Sequence, residues 1–140
     1  SKVARGADGA PCNNTLDPFM EMRLAALLQK PMFGPTALPA QKAFELATLG
    51  GAKVLNAESE IGSLEKGKRA DVVMVQRTHP SCATVEDPYS ALVYSCSGRD
   101  VSHVWIDGKA VVADHKSLTM DQLNVIDQAK VELEKLLKRI

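Results

Sequence analysis

Residues 6–30 read GADGAPCNNTLDPFMEMRLAALLQK, and this stretch decides the reading of the chain. Asp8 sits between Ala7 and Gly9, with Gly6 just before it, and Cys12, Asn13 and Asn14 follow closely. An acid amid small residues, after the short run at residues 2–7, reads as a carboxylate at a strand end. The bare backbone around it suits a ligand, although a turn or helix-capping aspartate fits the same residues. Downstream, Phe19, Met20, Met22, Leu24, Leu27 and Leu28 recur at near-helical spacing up to Lys30. Asn14 or Thr15 is expected to cap that helix, and Pro31, Gly34 and Pro35 to end it.

Working outward, a second helix is expected from about Leu38, with Pro39 in its first turn and Ala43, Phe44, Leu46 and Ala47 facing inward. Gly50 and Gly51 either end it or mark a tight packing point, with one more turn over Ala52 to Leu55. The texture changes near Ile61. The segment 71–75, DVVMV, is an apolar, β-branched run read as a buried strand. Residues 77–85 read as loop and Pro88 to Tyr94 as a short helix. Val101 to Ile106, Asp107-Gly108 and Lys109 to Val112 carry a strong hairpin signal, because Asp-Gly accepts the positive φ angles of a tight turn. Trp105 and Val111 are expected near each other across it. Thr119 to Ile140 reads as a last helix capped by Thr119, with Leu123, Ile126, Ala129, Leu133, Leu136 and Leu137 as its stripe.

The totals bound the function. The chain has 140 residues, 45% of them hydrophobic, enough for a real core. Lys plus Arg and Asp plus Glu number 17 each, so no net charge favours nucleic acid or an anionic membrane as a partner. No apolar run approaches the roughly 20 residues needed to span a bilayer. Three cysteines, Cys12, Cys82 and Cys96, are odd in number and widely spaced, which suits a reducing cytoplasm better than a disulfide scaffold. The expected location is therefore cytoplasmic.

Four segments together resemble one family. GADGAPCNNTLDPFMEMRLAALLQK resembles the loop after the eighth barrel strand of the amidohydrolase superfamily, in the branch of the methylthioadenosine/S-adenosylhomocysteine deaminases and triazine chlorohydrolases. LPAQKAFELATLGGAKVL resembles the helix pair leaving that barrel, EIGSLEKGKRADVVMV the entry to a small β-sandwich, and VSHVWIDGKAVV its closing hairpin. The resemblance covers residues 2–115 in the family's order. It implies an α/β chain: the last strand and helices of a (β/α)8 barrel over 1–60, the C-terminal part of a composite β-sandwich over 61–118, and a terminal helix over 119–140.

The resemblance also implies the chemistry. The active sites of such barrels lie at the C-terminal ends of the strands, where Asp8 falls. The matching aspartate in the family binds a divalent metal, zinc or iron, and accepts a proton from the metal-bound water. The metal lowers the pKa of that water toward roughly 7. The resulting hydroxide attacks a ring carbon bearing an amino group or a halogen. Asp8 is thus the expected metal ligand and catalytic group, and Cys12 and Asn13 are the expected substrate-binding residues. Gly6 and Gly9 are expected to turn the backbone sharply beside the site. Departures stand at Arg5, Ala7 and Cys12, where an apolar residue, a threonine and a serine are usual.

The remaining metal ligands of the family come from a His-x-His pair and from middle-strand histidines. This sequence has His79, His103 and His115, none in such a pair. A catalytic site usually takes three protein ligands. The chain alone is therefore expected to hold no zinc or iron. Two readings follow: the C-terminal part of a metal-dependent aminohydrolase or chlorohydrolase acting on a small ring, completed by an N-terminal barrel portion; or a non-catalytic structural or interaction module, self-associated as a homodimer.

Overall fold

The structure is a computed structural model that describes residues 2–139. Helices come first: α1 (Pro18–Phe33), α2 (Ala40–Ala47) and α3 (Leu49–Val54). Then come β1 (Val72–Val75), the short turns α4 (Pro80–Ala83) and α5 (Pro88–Ser90), and a π-helical turn over Ala91–Ser95. β2 (Val101–Ile106), β3 (Lys109–Ala113), β4 (Lys116–Ser117) and α6 (Gln122–Leu137) complete the order.

The core lies between α1, α2 and the π turn. Phe19, Met22 and Ala26 of α1 meet Ala40 and Ala43 of α2, and Cys82, Ala91, Val93 and Cys96 close the cluster. Ala26, Ala43 and Ala91 are fully buried, so small side chains set how closely the elements approach. Phe44 leans edge-on against Tyr89, with ring centroids 5.6 Å apart. Arg23 ties α1 to the end of the π turn, donating to the carbonyls of Val93 (3.2 Å) and Cys96 (2.7 Å).

Helix starts differ from expectation. Asp17, not Asn14 or Thr15, caps α1, its carboxylate accepting from the Phe19 amide at 2.9 Å. Pro31 does not end α1, which runs to Phe33. The Gly34 amide donates to the Lys30 carbonyl, and the Lys30 ammonium reaches the carbonyls of Pro35 and Ala37. A proline so near the end forgoes a single backbone bond on an exposed face. The helix pair breaks at Thr48, whose hydroxyl donates to the Phe44 carbonyl, and Gly50 and Gly51 lie inside α3. Gly50 is a packing point, because a Cβ there would stand 3.0 Å from the Val3 carbonyl oxygen. Gly62, at φ +91°, is more restrictive still: a Cβ would fall 2.7 Å from that of Ala52.

The strands form one antiparallel sheet in the order β1-β2-β3-β4. The Asp107-Gly108 turn is as expected, with φ of 52° and 76°. It is held from outside by Asp71, whose carboxylate accepts the Asp107 amide at 2.7 Å. Across the hairpin Trp105 faces Ala110, while Val104 faces Val112. Val111 is therefore the extra residue of a bulge rather than the partner of Trp105. The segment read as a buried strand is an edge strand, with Val73 and Met74 about half exposed. Its β-branched residues suit a sheet, but Val73 and Met74 point to opposite faces and neither is covered by the described residues.

Three further expectations are corrected. Residues 2–7 form no strand ladder; a lone extended segment has no neighbour to pair with, and its tie to α2 is the Arg5 amide on the Leu46 carbonyl at 3.2 Å. Residues 77–85 contain the helical turn α4, capped by the ring of His79. Asp121 rather than Thr119 caps α6, accepting from the Leu123 and Asn124 amides.

Candidate metal-ligand loop

Asp8 ends the extended N-terminal segment in a left-handed conformation, φ 58°. Such a φ is uncommon for a residue with a Cβ, and aspartate is among those that tolerate it best. Gly6 and Gly9 stay out of the left-handed region, so the sharp turn expected of the glycines is made by Asp8 itself. The Asp8 carboxylate accepts the Gly9 amide at 2.8 Å and is solvent-exposed. The Gly9 carbonyl then accepts the amides of Cys12 and Asn13, which closes a tight turn.

Asn13 organises this loop. Its amide nitrogen donates to the Ala7 carbonyl at 3.0 Å and to Glu21 at 2.7 Å. Its amide oxygen accepts from Thr15 and from the Leu16 amide. Both N–H donors of the side chain are thereby engaged within the loop. Glu21, in the first turn of α1, also takes the Arg5 guanidinium at 2.8 Å. Arg5 and Glu21 retain 26% and 19% of their side-chain exposure, dry enough for a charge-assisted bond to matter. One carboxylate thus holds the segment before Asp8 and the turn after it against one helix.

Glu21 is absent from the residues singled out by sequence. The signal was present: an arginine beside an apolar layer requires a carboxylate, and Glu21 lies in the helix that packs there.

Cys12 is exposed on the same turn. Cys82 and Cys96 are buried in the core, and burial, with Cys82 beside it, pushes the Cys96 thiol up to about 11. The histidines are occupied elsewhere. His79 caps α4, His103 stacks on Trp105 at 5.5 Å, and His115 meets Gln76 at 3.3 Å. Among the described residues, no group of three or more His, Cys, Asp or Glu side chains stands ready to hold a metal ion. Nor does Asp8 line either of two clefts, of about 320 and 540 Å³, that open beside α2–α3 and between Arg23 and the loop at 76–81. No helix among the described residues is long and apolar enough to cross a membrane.

Comparison with known proteins places this loop in context. The Amidohydrolase family matches residues 1–111. A 5-methylthioadenosine/S-adenosylhomocysteine deaminase of Desulforudis audaxviator is 44% identical over 140 residues, covering 99% of this chain and 33% of that protein. The crystal structure of an adenosine deaminase from Xanthomonas campestris with bound zinc superposes with a TM-score of 0.93 at 35% identity, over 98% of this chain and 31% of that one. An atrazine chlorohydrolase from Arthrobacter aurescens TC1, complexed with zinc, matches 93% of this chain and 29% of its own, at 25% identity and a TM-score of 0.80. The chain spans about a third of the length of the relatives it matches. The extended segment, the Asp8 turn, the helix pair and the hairpin sheet all stand in family order, and the chain belongs to the amidohydrolase family, in the branch of these deaminases and chlorohydrolases.

Proposed function

We propose that this chain is the C-terminal part of a metal-dependent aminohydrolase that removes ammonia from an adenosine-type ring, and that Asp8 is its contribution to the metal site. The carrying observation is the Asp8 turn: an exposed carboxylate, held at positive φ at the end of an extended segment, braced from behind by Asn13, Glu21 and Arg5. Deamination is favoured over dechlorination because the deaminases match more closely, at 44% and 35% identity against 25%.

The described residues alone do not fit a metal. Asp8 is one exposed carboxylate without histidines around it, whereas catalytic zinc usually takes three protein ligands. No catalytic step is therefore assigned to this chain by itself. Its residues hold one carboxylate in place, and the other ligands belong to the part of the polypeptide that carries the barrel. Residues 1–60 would complete that barrel and 61–118 its sandwich, in the cytoplasm. Cys12, exposed on the turn, is assigned to the substrate side. Asn13 serves that side through the backbone it fixes, since both its N–H donors are engaged.

The test is a single polypeptide in which the first two thirds of the Desulforudis audaxviator relative are joined to these 140 residues. It is expected to deaminate adenosine-type nucleosides, and its Asp8→Asn variant is expected not to. A fused chain that folds and binds zinc but leaves these nucleosides untouched would remove the reading.

A further inference from the structure

α6 is a 16-residue helix whose residues are all exposed. Leu123, Ile126, Leu133 and Leu137 lie three, seven and four residues apart, which gathers them on one side, with Lys130 at the position between Ile126 and Leu133. Leu123 keeps 75% of its surface and Ile126 42%. The helix buries nothing against the rest of the described chain, whereas most helical stability in proteins comes from packing an apolar face. Its charges are balanced and paired along its own surface, Lys130 with Asp127 at 3.2 Å and Lys135 with Glu132 at 2.7 Å. A balanced rim around an apolar stripe does not suit nucleic acid or an anionic lipid surface.

The superposition supplies the second observation. The match to the zinc-bound adenosine deaminase takes in 98% of this chain, α6 included, at a TM-score of 0.93. A helix that packs on nothing in its own third of the molecule keeps one position in a complete relative only if something outside that third holds it. The match covers 31% of the deaminase, so the rest of that polypeptide is there to do so.

We infer that the Leu123–Ile126–Leu133–Leu137 face of α6 docks on the part of the polypeptide that precedes the matched third, and clamps the C-terminal part to it. The inference rests on the reading of this chain as a C-terminal part. It assigns α6 an intramolecular partner rather than a second copy of the chain.

Hydrogen exchange of the α6 amides separates the possibilities. It is measured in the 140-residue chain and in the fused polypeptide described above. Protection of α6 is expected to rise at least about tenfold in the fused chain. Ile126→Glu/Leu133→Glu should abolish the gain, and the milder Ile126→Ala/Leu133→Ala should reduce it, while α1 amides keep their protection. Asp8→Asn should leave α6 protection unchanged while removing deamination, so failure of the metal-site reading and failure of the docking are told apart. Equal α6 exchange in the two chains would overturn the inference. So would protection already present in the 140-residue chain and lost on dilution, which would mark α6 as a self-association helix.

Discussion

α1 and α6 are both 16-residue helices with capping aspartates and leucine-bearing faces, yet their fates differ. α1 buries Phe19, Met22, Ala25 and Ala26 against α2 and the π turn, while α6 buries nothing. Even α1 is covered on one side only, since Leu28, Met32 and Phe33 stay more than 60% exposed. Apolar periodicity states that a face needs a cover; it does not state which part of a polypeptide supplies it. Here the cover for the buried face of α1 lies within the chain, and among the described residues nothing covers α6 or the exposed Val73 and Met74 of β1.

The largest effect expected from this contrast is catalytic. In the fused polypeptide, Asp8→Asn should lower turnover by roughly 10²–10⁴-fold, because an amide is a poorer metal ligand and cannot take a proton. The circular dichroism of the variant should be unchanged, since Asp8 is exposed and its carboxylate bonds only its neighbour's amide among the described contacts. Activity within a few-fold of the parent would detach Asp8 from the chemistry.

The second effect is on stability, and it breaks or sharpens the helix comparison directly. Phe19→Ala should destabilise the 140-residue chain by about 3–5 kcal/mol, the range for a buried aromatic. Leu133→Ala should change it by no more than about 0.5 kcal/mol, as for other exposed positions. Urea midpoints of the two variants test this. Comparable losses would mean that α6 is packed in the isolated chain.

A third, smaller effect concerns the loop that closes on α3. Gly62→Ala should cost about 1–3 kcal/mol, since it combines a positive φ with a Cβ too close to Ala52. Gly6→Ala, where a Cβ meets nothing within 4 Å, should be close to neutral.

The smallest effect is a pH slope. The folded Cys96 thiol titrates near 11, above its ordinary value of 9.0, because burial disfavours the thiolate. The raised value means that this contribution is fully present below about 9 and is lost as pH climbs toward 11, where the unfolded chain has already released the proton. Cys96→Ala should flatten that part of the stability profile, and an unchanged slope would exclude Cys96 as its source.

How far the sequence could be read follows from where each cause lies. The Asp107-Gly108 turn was legible because positive φ is a local demand that few residue pairs meet. The helix starts were legible only to within a few residues. Asn13, Asn14, Thr15 and Asp17 are all cap-competent, and tertiary bonds decide among them: Asn13 is diverted into the Asp8 turn, leaving Asp17 to cap α1. Thr119 and Asp121 pose the same choice at α6. The N-terminal strand was not realised because no strand among the described residues runs beside residues 2–7. Asp8 stood out by its neighbours, but the bracing from Glu21 depends on a helix packing back onto the segment, which no local pattern displays.

The most direct test of the account is zinc stoichiometry, measured on the 140-residue chain, on the fused polypeptide, and on its Asp8→Asn variant after dialysis against metal-free buffer. The 140-residue chain is expected to hold no stoichiometric zinc, the fused polypeptide about one ion as for a single catalytic site, and the Asp8→Asn variant markedly less. One tightly held ion in the 140-residue chain, or full retention without the Asp8 carboxylate, would contradict it.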